Sequence, residues 1–444
     1  MKRRYNIKSI LLIAIIIVVL SFYEVSILAS IGMLAVLFVA NRFLNELGNS
    51  IPMLELILLI SGFQWIVGPF MLYRIDAGLT FLPEPEYMLV TVIAYICFVI
   101  GCLAFRKNKA LLDREKVQQL MSRPKTIAIV KSIYWLGIVL FIVSLFVSNS
   151  LNQIFNIFYS FGFLASIMLL YSNLRNRRIY AILIYMLLFL KGVYLAVFAE
   201  FIAQGFLLII FIPNIYAFDK KKILIFLGSG LLFLSILNTA KVLYRQQVWG
   251  GRGNEVNFEL FFSVLFSSDS NSEVEDNTFL SRISSGMVNA MIINYVPSRT
   301  PHTNGEVLID DFANALIPRV LYADKKEIDT RKNFMLYTGN YLDENTSVGV
   351  NALGIGYAEF GVYGCYLFML IYGLFLSLVF NFFVSASKKN ILYLFSILIA
   401  FLSVSKAETE FVGSVNGFIK AILFIIIFIF FISKNSPRAF VYEK

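Results

Sequence analysis

Apolar runs of about 20 residues, the length a helix needs to cross the hydrocarbon core of a bilayer, recur along almost the whole of this chain. They are interrupted once at length, by a hydrophilic stretch at residues 245–351. Hydrophobic residues make up 59% of the 444 and charged residues only 15%, with a mean hydropathy of +0.76. Soluble domains do not reach that balance. Inside lipid every backbone N–H and C=O must find a partner within the protein, so only helices and closed barrels span. Runs such as residues 10–20 and 422–432 are continuously apolar, without the alternation of a barrel strand. The expected fold is an all-α polytopic membrane protein.

The apolar windows give twelve candidate spans: 9–23, 25–40, 51–73, 87–105, 126–148, 151–171, 179–197, 199–217, 223–243, 352–384, 391–406 and 411–433. Basic residues favour the cytoplasmic side. With the N-terminus placed there, the inner loops receive Arg42, the cluster from Arg106 to Lys125, Arg175, Arg177 and Arg178, Lys220 to Lys222, Lys388 and Lys389, and the tail with Lys434, Arg438 and Lys444. The short outer loops receive only Arg74. This parity puts both termini in the cytoplasm and the long loop outside. The organisation expected is residues 1–244 with about nine spans, 245–351 as an extracytoplasmic loop subdomain, and 352–444 with about three spans. The hairpins at 9–40 and 179–217 are each tight for two full crossings. The first apolar run has a basic flank and no small-residue cleavage site, and reads as a retained helix.

The net charge of +10 is not a nucleic-acid footprint, because residues 245–351 hold nine Lys and Arg against fourteen Asp and Glu. The excess positive charge therefore lies in the short loops. Cys97, Cys102 and Cys365 all fall in apolar segments, so neither a disulfide framework nor a CxxC metal site is expected. No HExxH, DxD or GxxxxGK[ST] pattern occurs, so zinc hydrolase, metal-dependent transferase and P-loop chemistry lack local support. No metal and no cofactor is implied.

Within the long loop, apolar stretches at 256–266, 279–296 and 307–322 alternate with polar ones, and Pro297, Pro301 and Pro318 separate them. The pattern suits short amphipathic helices at the membrane interface, and a plain cover over the bundle would show it too. Arginine dominates the loop cations: Arg245, Arg252, Arg282, Arg299, Arg319 and Arg331, with Lys only at 325, 326 and 332. A planar guanidinium grips phosphate through two hydrogen bonds at once, so Arg319, Arg282, Arg299, Arg331, Arg245 and Lys325 are candidate phosphate ligands. Pairing with the loop's many acids would account for any one of them. His302, the single histidine, has an unperturbed pKa of about 6.5 and suits a general base, although a lone loop histidine is more often solvated. Glu306, Asp310 and Asp311 are alternative bases.

Charges within spans cost roughly 2.5–3.5 kcal/mol each on insertion scales and therefore suggest function. Lys191 and Glu200 flank a tight turn and are placed to face each other. Glu359 falls in the first turns after the loop, and Lys406, Glu408 and Glu410 gather at another outer helix end. Snorkelling to the interface explains Lys241 and Lys406 well and Glu359 poorly.

The run Ala315-Leu316-Ile317-Pro318-Arg319-Val320-Leu321-Tyr322-Ala323-Asp324-Lys325, then Thr346-Ser347-Val348-Gly349, then Gly354 to Gly364 with its Glu359-Phe360-Gly361-Val362-Tyr363-Gly364 opening a helix, resembles the Wzy-type O-antigen and capsule repeat-unit polymerases. The match is concentrated in about 50 residues. The regularly spaced Arg-to-Gly motif of some members is absent, and only one outer loop is large. The resemblance implies metal-independent glycosyl transfer at the outer face of the bacterial cytoplasmic membrane. Undecaprenyl-diphosphate-linked oligosaccharide would be the substrate, membrane lipids the surroundings, and a chain-length regulator and a flippase the further partners, with no nucleic acid. Arg319, Glu359 and His302 would be the catalytic residues. A lipid-linked glycan ligase of similar fold is an alternative, and a repeat-unit flippase or other transporter is the non-enzyme one.

Overall fold

The computed structural model describes residues 26–74, 81–146, 149–195, 198–249, 261, 284–316, 330–342, 348–436 and 439–441. Among these residues the chain is all-helical, with isolated β-bridges at Leu47–Ser50 and Ser50–Leu111 and no strand. Seven described helices are long and apolar enough to cross a membrane: Ile27–Glu46, Met53–Arg74, Glu84–Ala104, Pro124–Ser144, Arg177–Leu195, Ala352–Ser387 and Phe411–Asn435. Shorter apolar helices cover Ile157–Leu170, Glu200–Ile215 and Leu392–Phe401. The expected span at 9–23 lies outside the described residues, and within the expected span 391–406 the helix is Leu392–Phe401, ten residues long.

In chain order α1 is Ile27–Glu46, α2 Met53–Arg74 and α3 Glu84–Ala104. Their starts are set by local chemistry. Ser26 caps α1 by accepting from Ala29 N at 3.2 Å, and Pro85 sits in the first turn of α3, where its missing N–H costs nothing. The three alternate in direction. Arg74 meets Glu84 at 3.2 Å and Ser26 Oγ donates to Glu84 at 3.3 Å at one end of the bundle, here the upper end. Glu46, Glu55 and Arg106 meet at the other.

After α4 (Arg114–Met121) come α5 (Pro124–Ser144), α6 (Asn149–Leu170), α7 (Arg177–Leu195), α8 (Ala199–Ile215) and α9 (Lys220–Trp249). The expected Lys191–Glu200 pair forms, at 2.8 Å, and Tyr159 OH donates to the same carboxylate at 2.7 Å. Next come three short helices, α10 (Gly286–Tyr295), α11 (Glu306–Leu316) and α12 (Thr330–Thr338), and finally α13 (Ala352–Ser387), α14 (Leu392–Phe401) and α15 (Phe411–Asn435).

The tightest seam joins α3 to α13. A Cβ added to Gly101 would lie 2.3 Å from Leu370 O, and one on Gly373 2.6 Å from Phe98 O. Small residues are what let two backbones approach so closely where lipid supplies no hydrophobic drive. Along this seam Tyr366 OH donates to Leu89 O, Phe98 stacks on Tyr372, and Asn381 Nδ2 donates to Phe105 O. The partner numbers rise together, so the two helices run parallel.

The expected single span at 352–384 is broken. Gly361 has φ 69° and ψ −169°, a conformation open to glycine and strained for other residues. Residues 352–360 are bent back on the remainder of α13: Cys365 Sγ lies 3.6 Å from Leu353 O, whereas twelve residues of straight helix would separate them by about 18 Å. The chain thus presents Glu359 at a corner instead of within a continuous rod.

Candidate functional site

The corner is where the loop helices dock. Glu359 is fully buried, with 0% of its side-chain surface exposed. Its Oε1 accepts from Tyr337 OH at 2.7 Å. Its Oε2 accepts from Thr303 Oγ1 at 2.5 Å and from Gly305 N at 2.8 Å. Gly305 immediately precedes α11, so the carboxylate also sits against the positive end of that helix dipole. The backbone closes the arrangement, with Asn304 N donating to Glu359 O at 2.9 Å. No cation is among these partners; uncharged donors hold the carboxylate.

His302 lies beside it. Its Nδ1 is 3.1 Å from Ala358 O, and its ring meets that of Tyr357 edge-on at 5.7 Å. A carbonyl oxygen only accepts, so Nδ1 carries the proton and the lone pair of the neutral ring lies on Nε2. That nitrogen faces the break: a Cβ built on Gly361 would sit 3.3 Å from it. The glycine therefore both turns the chain and leaves room for the imidazole.

A second carboxylate adjoins. Asp311 on α11 accepts from Asn333 Nδ2 at 2.5 Å. Asn333 and Tyr337 stand four residues apart on one face of α12, so one helix face holds both acids. Burial pushes the Asp311 carboxyl above its ordinary value; the Asn333 bond and Lys332 pull it down, and Glu359 and Asp310 add to the rise. Burial, and then the bond to Glu359, drives the Tyr337 phenol above the ordinary tyrosine range, against a contribution from Thr303. Tyr337 is therefore a fixed proton donor at any neutral pH.

Of the sequence-predicted residues, Glu359 and His302 come together. Arg299 is exposed, its guanidinium 6.0 Å from the Tyr295 ring. Arg331 is partly buried on α12, two residues before Asn333. Arg245 falls within α9, but its side chain lies outside the described residues, as do Arg282, Arg319 and Lys325 entirely. Of the three charged residues expected at an outer helix end, Glu408 accepts from Gln64 Nε2 and Glu410 caps α15 through Val412 N and Gly413 N. Lys406 lines a space of only about 20 Å³ with Trp65 and Thr409. No group of three or more His, Cys, Asp or Glu able to hold a metal occurs among the described residues. Sequence reasoning missed Thr303, Tyr337 and Asn333. The one available signal was the Asn333–Tyr337 spacing on a short polar helix.

The fold and site together define a polytopic, all-helical membrane protein whose loop helices are fastened to a broken span. A family model, described as a domain of unknown function (DUF8712), matches residues 87–383, the greater part of the sequence; the chain belongs to that family. The matched region runs from α3 through most of α13 and takes in the Glu359 corner. No curated protein and no solved structure matches the chain.

Proposed function

We propose that this protein polymerises oligosaccharide repeat units carried on undecaprenyl diphosphate, transferring a growing glycan to the terminal sugar of a new unit at the outer face of a bacterial cytoplasmic membrane. The observation that carries the reading is His302, held at one end of an apolar bundle with Nδ1 engaged by Ala358 O and Nε2 left to accept a proton, in a stretch whose sequence is rich in arginine. Such a transfer needs a base for a weakly acidic hydroxyl and preorganised cations for the diphosphate that departs.

In this reading the acceptor hydroxyl gives its proton to His302 Nε2 as its oxygen bonds to the anomeric carbon. The bond from that carbon to the diphosphate oxygen breaks, and the leaving group takes the electron pair under the grip of Arg319 and the arginines near it. Three of about four acceptor positions on Glu359 are already filled by protein donors. The geometry therefore favours His302 as base and gives Glu359 the task of holding residues 303–305 in place.

The twelve-span layout belongs to the same proposal. Taken as crossings, α5 to α9 put five between the parallel α3 and α13, and an odd number is what parallel neighbours require. This arithmetic supports residues 245–351 lying on the side where α3 begins. With the positive-inside rule that side is outside, and both termini are cytoplasmic.

The test is polymer formation in membranes supplied with lipid-linked repeat units. His302→Gln and Arg319→Ala are each expected to abolish the ladder of longer chains while single units persist. An unchanged chain-length distribution in both variants rejects the reading. A reporter fused at Asn271 that reads cytoplasmic rejects the topology.

A further inference from the structure

The lower end of the bundle holds a cleft of about 620 Å³, lined among others by Leu44, Asn45, Arg114, Asn214, Lys220 and Ile223. We propose that it binds the phosphate of an anionic phospholipid headgroup.

The first ground is an unmet donor. Arg114 Nε is buried and has no hydrogen-bond partner, a costly state for a charged N–H unless something supplies an acceptor. Asp113 and Asp219 line the cleft as well, and each already has partners of its own. Asp113 caps α4 through Lys116 N at 3.2 Å and meets Lys116 Nζ at 3.3 Å; Asp219 caps α9 through Lys222 N at 2.8 Å. Lys220 reaches only the neutral Asn45 Oδ1, at 3.2 Å. Two cations thus line the cleft, each without a carboxylate in hydrogen-bond contact among the described residues.

The walls are fixed in advance. Asn214 Nδ2 donates to Gly48 O at 2.7 Å and to Leu112 O at 2.9 Å, and its Oδ1 accepts from Tyr171 OH at 2.8 Å. This side chain ties α8 to the turns after α1 and before α4, so the cleft needs no rearrangement to receive a ligand.

Its level and surroundings choose the ligand. The cleft lies where the apolar helices α1 and α8 end and α9 begins, the depth at which headgroups meet a membrane protein. Leu44 and Ile223 make part of its wall apolar. Just beyond, Leu224 and Ile225 are 57% and 71% exposed on α9, offering a path for acyl chains. Arg178 lies near this end, its guanidinium 5.9 Å from the Tyr216 ring, and Lys221 and Lys222 follow Lys220 in the first turn of α9. Basic pockets between helices at a membrane boundary are the setting in which anionic headgroups bind.

The experiment titrates the purified full chain in neutral detergent with short-chain phosphatidylglycerol, short-chain phosphatidylcholine and inorganic phosphate, reading bound lipid by native mass spectrometry and the shift in Tm. Phosphatidylglycerol is expected to bind and raise Tm; the other two at equal concentration are not. Arg114→Gln and Lys220→Gln should each weaken phosphatidylglycerol binding about fivefold, while Lys389→Gln, at an exposed lysine that does not line the cleft, leaves it unchanged. Lys220 is exposed, so its variant decides the matter alone if Arg114→Gln does not fold. Equal responses to the two lipids overturn the proposal, as does wild-type affinity in Lys220→Gln. A response to inorganic phosphate matching that to phosphatidylglycerol overturns the lipid assignment.

Discussion

The bundle buries a carboxylate at each end, and it compensates the two charges by opposite means. At the lower end Glu55, 0% exposed, meets Arg106 Nη1 at 2.5 Å and Arg42 Nη2 at 3.2 Å. Its neighbour Glu46 takes Arg106 Nη2 at 2.6 Å and Lys109 at 2.9 Å. At the upper end Glu359 is held by two hydroxyls and one backbone N–H. Cations compensate the first charge, and their removal leaves a bare ion in the bundle. Dipoles compensate the second, each contributing less, and they come from two segments of chain, residues 303–305 and α12. The lower cluster therefore fastens spans to one another, whereas the upper one fastens loop helices to a span. Under the proposed function, in which a substrate enters at the upper end, the second arrangement serves better.

Arg106→Met breaks the comparison most severely. It removes the cation shared by Glu46 and Glu55, and about 3–5 kcal/mol of stability should go with it, visible as a lowered thermal unfolding midpoint in detergent. Tyr337→Phe deletes one uncharged donor to Glu359 and should cost about 1.5–3 kcal/mol. If the tyrosine variant loses more than the arginine variant under the same conditions, the contrast between bolted and dipole-held ends is wrong. Limited proteolysis sharpens the point: Tyr337→Phe should speed cleavage between α10 and α13 while leaving the spans protected, and uniform loss of protection would argue for global unfolding instead.

How far these features were legible depends on sequence separation. The apolar windows foretold helices, and Lys191 with Glu200 could be paired on paper because a tight turn places them nine residues apart. Thr303, Tyr337 and Glu359 are separated by tens of residues and become partners only once α12 docks on the corner. Glu55 and Arg106 are as distant; Arg42, Arg106 and Lys109 were legible as topology signals, and nothing in their spacing showed that they also neutralise Glu46 and Glu55. The break at Gly361 was concealed because an apolar run reads the same whether straight or bent. Its trace was Gly361 directly after Glu359-Phe360, a pattern that carries the family resemblance without revealing the geometry. The arginines singled out for phosphate lie mostly outside the described residues, so their arrangement stays part of the functional proposal.

The smallest expected effect concerns Asp311 and tests whether the upper end tolerates charge. Burial, reinforced by Glu359 and Asp310, raises its carboxyl above the ordinary value of 3.8 in the folded protein. The folded state therefore holds the proton to higher pH than the unfolded chain does. Between the unfolded and folded pKa values the native state binds more protons, so stability falls as pH rises through that window and the full penalty is present above it. Asp311→Asn keeps an oxygen for Asn333 Nδ2 and removes the charge. Its Tm should exceed that of the unaltered chain at pH 7, and the gap should close as pH is lowered towards the ordinary aspartate value. A gap that is constant with pH would mean that packing, not ionisation, sets the cost. A gap of opposite sign would mean that a cation compensates Asp311, and the upper end would then resemble the lower one.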